Sequence, residues 1–149
     1  MTAKFIRLIN RNGVNETSQK FDLGQLRMTP KIEILMEDGY FGTDTGQLRE
    51  PMVNAKTIIE KCLHRHHSGD WGDVDPEDKH TNDLALKSGG RLFSAYNVDL
   101  FGFYGSGKQG DAIMRFSVPK IWIITEAVGM KQWNRLDRNG TTILDPKEY

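Results

Sequence analysis

The chain has one cysteine, so Cys62 can close no intramolecular disulfide and a stapled secreted scaffold is excluded. It also lacks an excess of either charge: 20 basic side chains meet 20 acidic ones, for a formal net charge of zero. Without a positive excess there is no bulk attraction to phosphate backbones or anionic lipid. Long apolar runs are missing as well. The apolar stretch within Met1–Asn10 is broken by Lys4 and Arg7, which makes it too short and too charged for a signal peptide or a spanning helix. The expected compartment is therefore the cytoplasm, with no membrane partner. Internal repeats and low-complexity segments are also absent.

What remains is the composition of a globular domain, 38% hydrophobic and 27% charged. Length predicts residues 1–20 as an N-terminal extension or edge strand and residues 21–149 as a single α+β domain. Phe21–Leu26 reads as a short strand. Thr29-Pro30 opens a helix, with Thr29 as cap, Pro30 at the first helical position and Ile32, Leu35 and Met36 as its apolar stripe; Gly39 stops it. Tyr40–Pro51 reads as a loop. A second helix is expected over Val53–His64, with Ile58, Ile59, Cys62 and Leu63 on its core face and Cys62 as a buried thiol. Asp75-Pro76-Glu77-Asp78 starts a third by the same logic as the first, with Leu84 and Leu86 in apolar contact and Gly89-Gly90 ending it.

The period then shortens. Arg91–Val98, Ala112–Val118, Lys120–Thr125 and Thr141–Leu144 are β-rich, and Pro119 marks a bend or a strand edge. Helices followed by strands predict an α+β fold, about three helices packed on a four- to five-stranded antiparallel sheet.

A series of blocks runs through this pattern: Leu23-Gly24-Gln25 before Thr29-Pro30, then Arg65-His66-His67-Ser68-Gly69-Asp70-Trp71-Gly72, Asn82-Asp83-Leu84-Ala85-Leu86, Gly90-Arg91-Leu92-Phe93-Ser94-Ala95-Tyr96, Lys120-Ile121-Trp122-Ile123-Ile124-Thr125-Glu126-Ala127 and the terminal Thr141–Tyr149. The series resembles a family of small bacterial "plasmid-related" proteins carried on plasmids, phages and integrative elements. Gly39–Met52, Asn97–Pro119 and Val128–Gly140 are longer than the family's spacers. The resemblance implies a mobile-element setting and carries no biochemical activity.

Several constellations could hold chemistry. All four histidines lie between His64 and His80, beside Asp70, Asp73, Asp75, Glu77 and Asp78. Imidazoles and carboxylates are ligands for zinc, manganese or iron, so His64, His66 and His80 are the candidate metal residues. No H-E-x-x-H spacing exists, however, and the acidic run fails the calcium-loop pattern, so no cofactor is expected. The structural alternative makes Asp75 a cap, gives Gly69 and Gly72 a tight turn and sets Trp71 in the core. Gly102–Gln109 approaches a phosphate-binding loop, but Gln109 stands where that loop needs a hydroxyl, so a glycine-rich hairpin tip is the better reading. Ser68, Ser94 and Thr125 lie near motif blocks where a histidine could reach one of them. Met130–Arg138 is basic and aromatic, with Trp133, Arg135 and Arg138 as candidate partner-binding residues beside Trp71.

Three functions follow as expectations. The first is a mobile-element accessory protein that binds a host or mobile-element protein complex, such as a counter-defence inhibitor of a restriction or CRISPR-type assembly. The second is a small hydrolase or nuclease using His66, Asp70, Arg91 and Glu126, with Tyr96 nearby. The third is a regulator that binds DNA.

Overall fold

Two prolines set the helical starts. The computed structural model describes residues 19–42, 53–104, 114–129 and 138–149. Helix α1 (Pro30–Asp38) and helix α3 (Pro76–Ser88) each begin on proline, whose missing N–H has no intrahelical partner to lose. Asp75 caps α3 by accepting from Asp78 N at 2.8 Å, and Gly89 ends it in the left-handed conformation, φ 83°. α1 ends at Gly39, whose backbone turns extended; a Cβ there would lie 2.5 Å from Leu35 Cα, so glycine fits this helix end.

Three sequence-based boundaries move. Helix α2 spans Ala55–His67, not Val53–His64: Asn54 caps it by accepting from Lys56 N, and Arg65-His66-His67 extends its last turn. Tyr40–Gly42, expected in a loop, is strand β2, and Val53–Asn54 is strand β3. Of the expected Phe21–Leu26 strand, only Gln25 and Leu26 are in a strand. Gly24 takes φ +63° with no room for a Cβ against Arg138 O, so strand β1 begins only at Gln25 and runs to Met28.

Strands β4 (Leu92–Tyr104), β5 (Met114–Thr125) and β6 (Gly140–Leu144) form an antiparallel meander. β5 runs straight through Pro119, and the irregularity falls on its neighbour. Asn97 pairs with Lys120 and Leu100 with Val118, so Val98 and Asp99 together oppose Pro119 as a bulge, with Asp99 at φ 49°.

The fold is α+β. Among the described residues, three α-helices accompany a six-stranded, mostly antiparallel sheet of order β1-β6-β5-β4-β2-β3, one strand more than the upper expectation. The β1–β6 pair is parallel. α1 and α2 pack on one sheet face, burying Ile32, Leu35, Ile59 and Leu63 against Tyr96, Ile121, Ile123 and Ile143. Ile59, Cys62 and Leu63 are buried as their spacing predicts, and burial pushes the Cys62 thiol up to about 11. Leu84 corrects another expectation: it is 55% exposed, and α3 approaches β4 through Asn82 and Ala85, whose smaller side chains allow close contact. No helix among the described residues is long and apolar enough to cross a membrane.

Candidate functional site

The last turn of α2 drives His66 into the sheet. Its ring is fully buried, with Nδ1 2.5 Å from Ser94 Oγ on β4 and Nε2 2.8 Å from Thr125 Oγ1 on β5. Thr125 Oγ1 lies 2.7 Å from Thr141 Oγ1 on β6, which donates to Leu23 O at 2.7 Å. Counting protons from that carbonyl fixes every direction. Thr141 spends its hydroxyl proton on Leu23, so Thr125 must donate to Thr141 and accept from His66 Nε2–H. Nδ1 is then an acceptor, and Ser94 donates to it. Burial, reinforced by the nearby positive charges of His67 and Arg138, holds the imidazole pKa down to about 3, so the ring is neutral. A serine–histidine pair therefore exists, but neither side chain has a solvent-accessible face on which a substrate carbonyl or phosphate could sit.

The Gly69–Gly72 block closes the open edge of β4. Beyond the short β2 pairing, Leu92–Asn97 would present free N–H and C=O groups. Ala95 N donates to Trp71 O, Asp73 N donates to Ala95 O, and Asn97 N donates to Asp73 Oδ2. Gly72 forms a parallel bridge with Ala95 at φ +74°, and a Cβ there would strike Ala95 O. Asn82 completes the edge by acting as a strand surrogate: its amide nitrogen donates to Phe93 O and its oxygen accepts from Phe93 N at 3.0 Å. The motif blocks meet here as architecture.

The proposed catalytic set does not gather around His66. Asp70 is exposed and bound to Arg65 at 2.7 and 3.2 Å, and that bond holds its carboxyl below the usual range. Arg65 also lies 4.7 Å over the Tyr96 ring, while Tyr96 Oη donates to Asp70 O. Arg91 and Glu126 flank the Leu92–Thr125 pair at one end of the sheet, both exposed. Among the described residues Arg91 donates to Tyr149 Oη, at 3.4 Å. The metal candidates diverge too. His66 faces the sheet, His64 is half-buried on α2, and His80 is exposed on α3. Among the described residues no group of three or more histidine, cysteine or carboxylate side chains gathers as a metal site would.

Two partner-binding candidates turn inward. Trp71 is 4% exposed, packs with Ala85 and Leu92, and donates from Nε1 to Asp83 at 2.9 Å. Arg138 is 6% exposed and donates to Gly90 O, Glu126 O and Ala85 O, tying the end of α3 to the sheet. Trp133, Arg135, the N-terminal segment to Ser18 and the Gly105–Gly110 part of the glycine-rich stretch lie outside the described residues.

One open feature is a cleft of about 380 Å³ between α3 and the outer sheet face, where Phe93, Trp122 and Ile124 line the floor and Asp78, Arg91 and Tyr149 the rim. Trp122 meets Phe93 edge-on at 5.1 Å and Tyr149 at 5.8 Å. Of these residues only Arg91 is a candidate from sequence, as part of the hydrolase set; Phe93, Trp122, Ile124 and Tyr149 stand in the motif blocks without an assigned role. The signal was the two-residue alternation: Ser94 and Thr125 turn to the helices, so Phe93, Trp122 and Ile124 turn away. Comparison of the chain with protein-family models, curated proteins and solved structures finds no match.

Proposed function

We propose that the protein acts by binding a partner protein through the Phe93–Trp122–Tyr149 cleft. The observation that carries this reading is the aromatic floor with Arg91 at its rim. Trp, Tyr and Arg are the residue types that dominate interface energetics, and here they converge on one concavity. A fitting partner presents an apolar anchor next to an acidic side chain, the anchor seating on Trp122 and the carboxylate meeting Arg91. The motif series supports a mobile-element accessory role in the cytoplasm, with a host restriction or CRISPR-type complex as partner and inhibition of that complex as outcome. Chemistry centred on His66 gains no support, because its ring is enclosed on both nitrogens.

The test is co-migration on size exclusion of the purified protein with purified host defence complexes. Arg91→Glu, an exposed charge reversal, and Trp122→Ala should each abolish co-migration while circular dichroism stays native. Binding indifferent to both folded variants would overturn the cleft assignment. Hydrolysis of nucleic acid by the pure protein, lost in His66→Gln, would overturn the binding role itself.

A further inference from the structure

A second cleft, of about 490 Å³, lies between the Lys20–Asp22 segment and the C-terminal end of α3. Arg138 lines it from within. Arg138 as a residue is 6% exposed, yet no described carboxylate is in ion-pair contact with it. Its three carbonyl acceptors supply dipoles and no counter-charge, and Asp22 attracts it only from beyond ion-pair distance, so its burial is incompletely compensated. The α3 C-terminal pole offsets only part of it. Lys20 and Lys87 add two exposed ammonium groups to the lining, neither in an ion pair among the described residues. Among the described residues Asp22 is the one carboxylate in the lining, so three cations face one anion there in a chain whose overall charge is zero.

We propose that this cleft binds a phosphate monoester, its dianion balancing the local excess and its organic body filling the space beside Phe21 and Val128. Arg138 forms the buried floor of the site, and Lys20 and Lys87 close over the phosphate as point charges. The reading is independent of the protein-binding cleft, which opens on another side of α3. A free small-molecule monoester and the 5′-phosphate of a nucleic-acid strand share this chemistry.

The full chain is titrated with inorganic phosphate, a nucleoside monophosphate and a 5′-phosphorylated oligonucleotide, against chloride at matched ionic strength. ³¹P line broadening and the thermal midpoint are the readouts. Saturable broadening and a raised midpoint are expected at millimolar phosphate or below, with the monoester binding tighter. Lys20→Ser/Lys87→Ser, which alters only exposed side chains, should weaken binding by about tenfold or more and leave the unliganded midpoint unchanged. Preference for the nucleotide identifies a free metabolite as the source, and preference for the oligonucleotide a strand end. Absence of saturation with all three probes overturns the proposal, as does equal binding by the double variant or by an oligonucleotide lacking its phosphate.

Discussion

His66 Nε2 donates to Thr125 Oγ1 over 2.8 Å, fastening the last turn of α2 to the end of β5. The bond lies in a relay with one direction of donation, from Ser94 to Leu23 O, so each hydroxyl has a single acceptable role. Thr125→Val keeps the shape and removes both functions of the hydroxyl, leaving the His66 N–H without an acceptor. A loss of about 2–3 kcal/mol in urea unfolding is expected, against less than about 1 kcal/mol for Thr125→Ser. Equal losses for the two variants would show that packing, not the relay, sets the value.

Stability should fall with acid in a defined window. The His66 pKa is about 3 in the folded chain against an ordinary value near 6.5. Between those values the unfolded chain binds a proton that the folded chain excludes, so stability drops as pH decreases from about 6.5 towards about 3. The slope approaches about 1.4 kcal/mol per pH unit from this group. His67 acts in the same direction, its pKa also lowered by burial. Denaturant midpoints from pH 7 to pH 4 measure the slope, and a folded His66→Gln variant should reduce it, leaving the His67 contribution.

Helix α1 is capped from a distance. Thr29 makes no capping bond of its own; instead its hydroxyl donates to Glu148, whose second oxygen accepts from Lys31 N, 117 positions away. A carboxylate at a helix N-terminus also meets the positive end of the dipole. Glu148→Ala should cost about 1 kcal/mol and increase hydrogen exchange in the first turn of α1, with Glu148→Gln intermediate. Unchanged exchange there would disprove the clamp.

Gly69 and Gly72 both have positive φ but differ in what surrounds them. At Gly69 a Cβ would find its nearest neighbour 3.4 Å away, on the flexible Lys20 side chain. At Gly72 it would overlap Ala95 O. Gly69→Ala should therefore cost about 1 kcal/mol from backbone strain alone, and Gly72→Ala about 2–4 kcal/mol. Thermal melts of the two variants give the comparison.

Asn82→Ala should open the same β4 edge by removing both bonds to Phe93. A loss of about 2 kcal/mol is expected, along with concentration-dependent self-association by light scattering. A variant that stays monomeric would show that the Trp71–Asp73 segment protects the edge unaided.

Local signals were legible where they act over a few residues. Pro30, Asp75, Pro76, Gly39 and Gly89 mark helix ends through steric and capping effects that involve only neighbouring backbone. The Ile59–Cys62–Leu63 face follows from helical period. Leu84 is exposed against its periodicity, because the period names a stripe without saying which residue lets the helix approach most closely. Trp71 fits both a core and a recognition reading in sequence, and the structure takes the core one, while Arg138 reads as recognition because composition cannot tell a carbonyl-bound guanidinium from an exposed one.

The α+β class, the helix starts and the alternation of the long strands were determined by the sequence itself, since caps, proline geometry and side-chain period need no distant partner. Tertiary structure alone decided that His66 meets Ser94 and Thr125, 28 and 59 positions away, and that Glu148 serves α1. It also decided that the histidine-rich block encloses its central ring instead of offering it to a substrate. Such encounters depend on strand register and on which face each strand turns inward. A one-residue slip would reverse every side chain, so they exist only once the sheet has assembled.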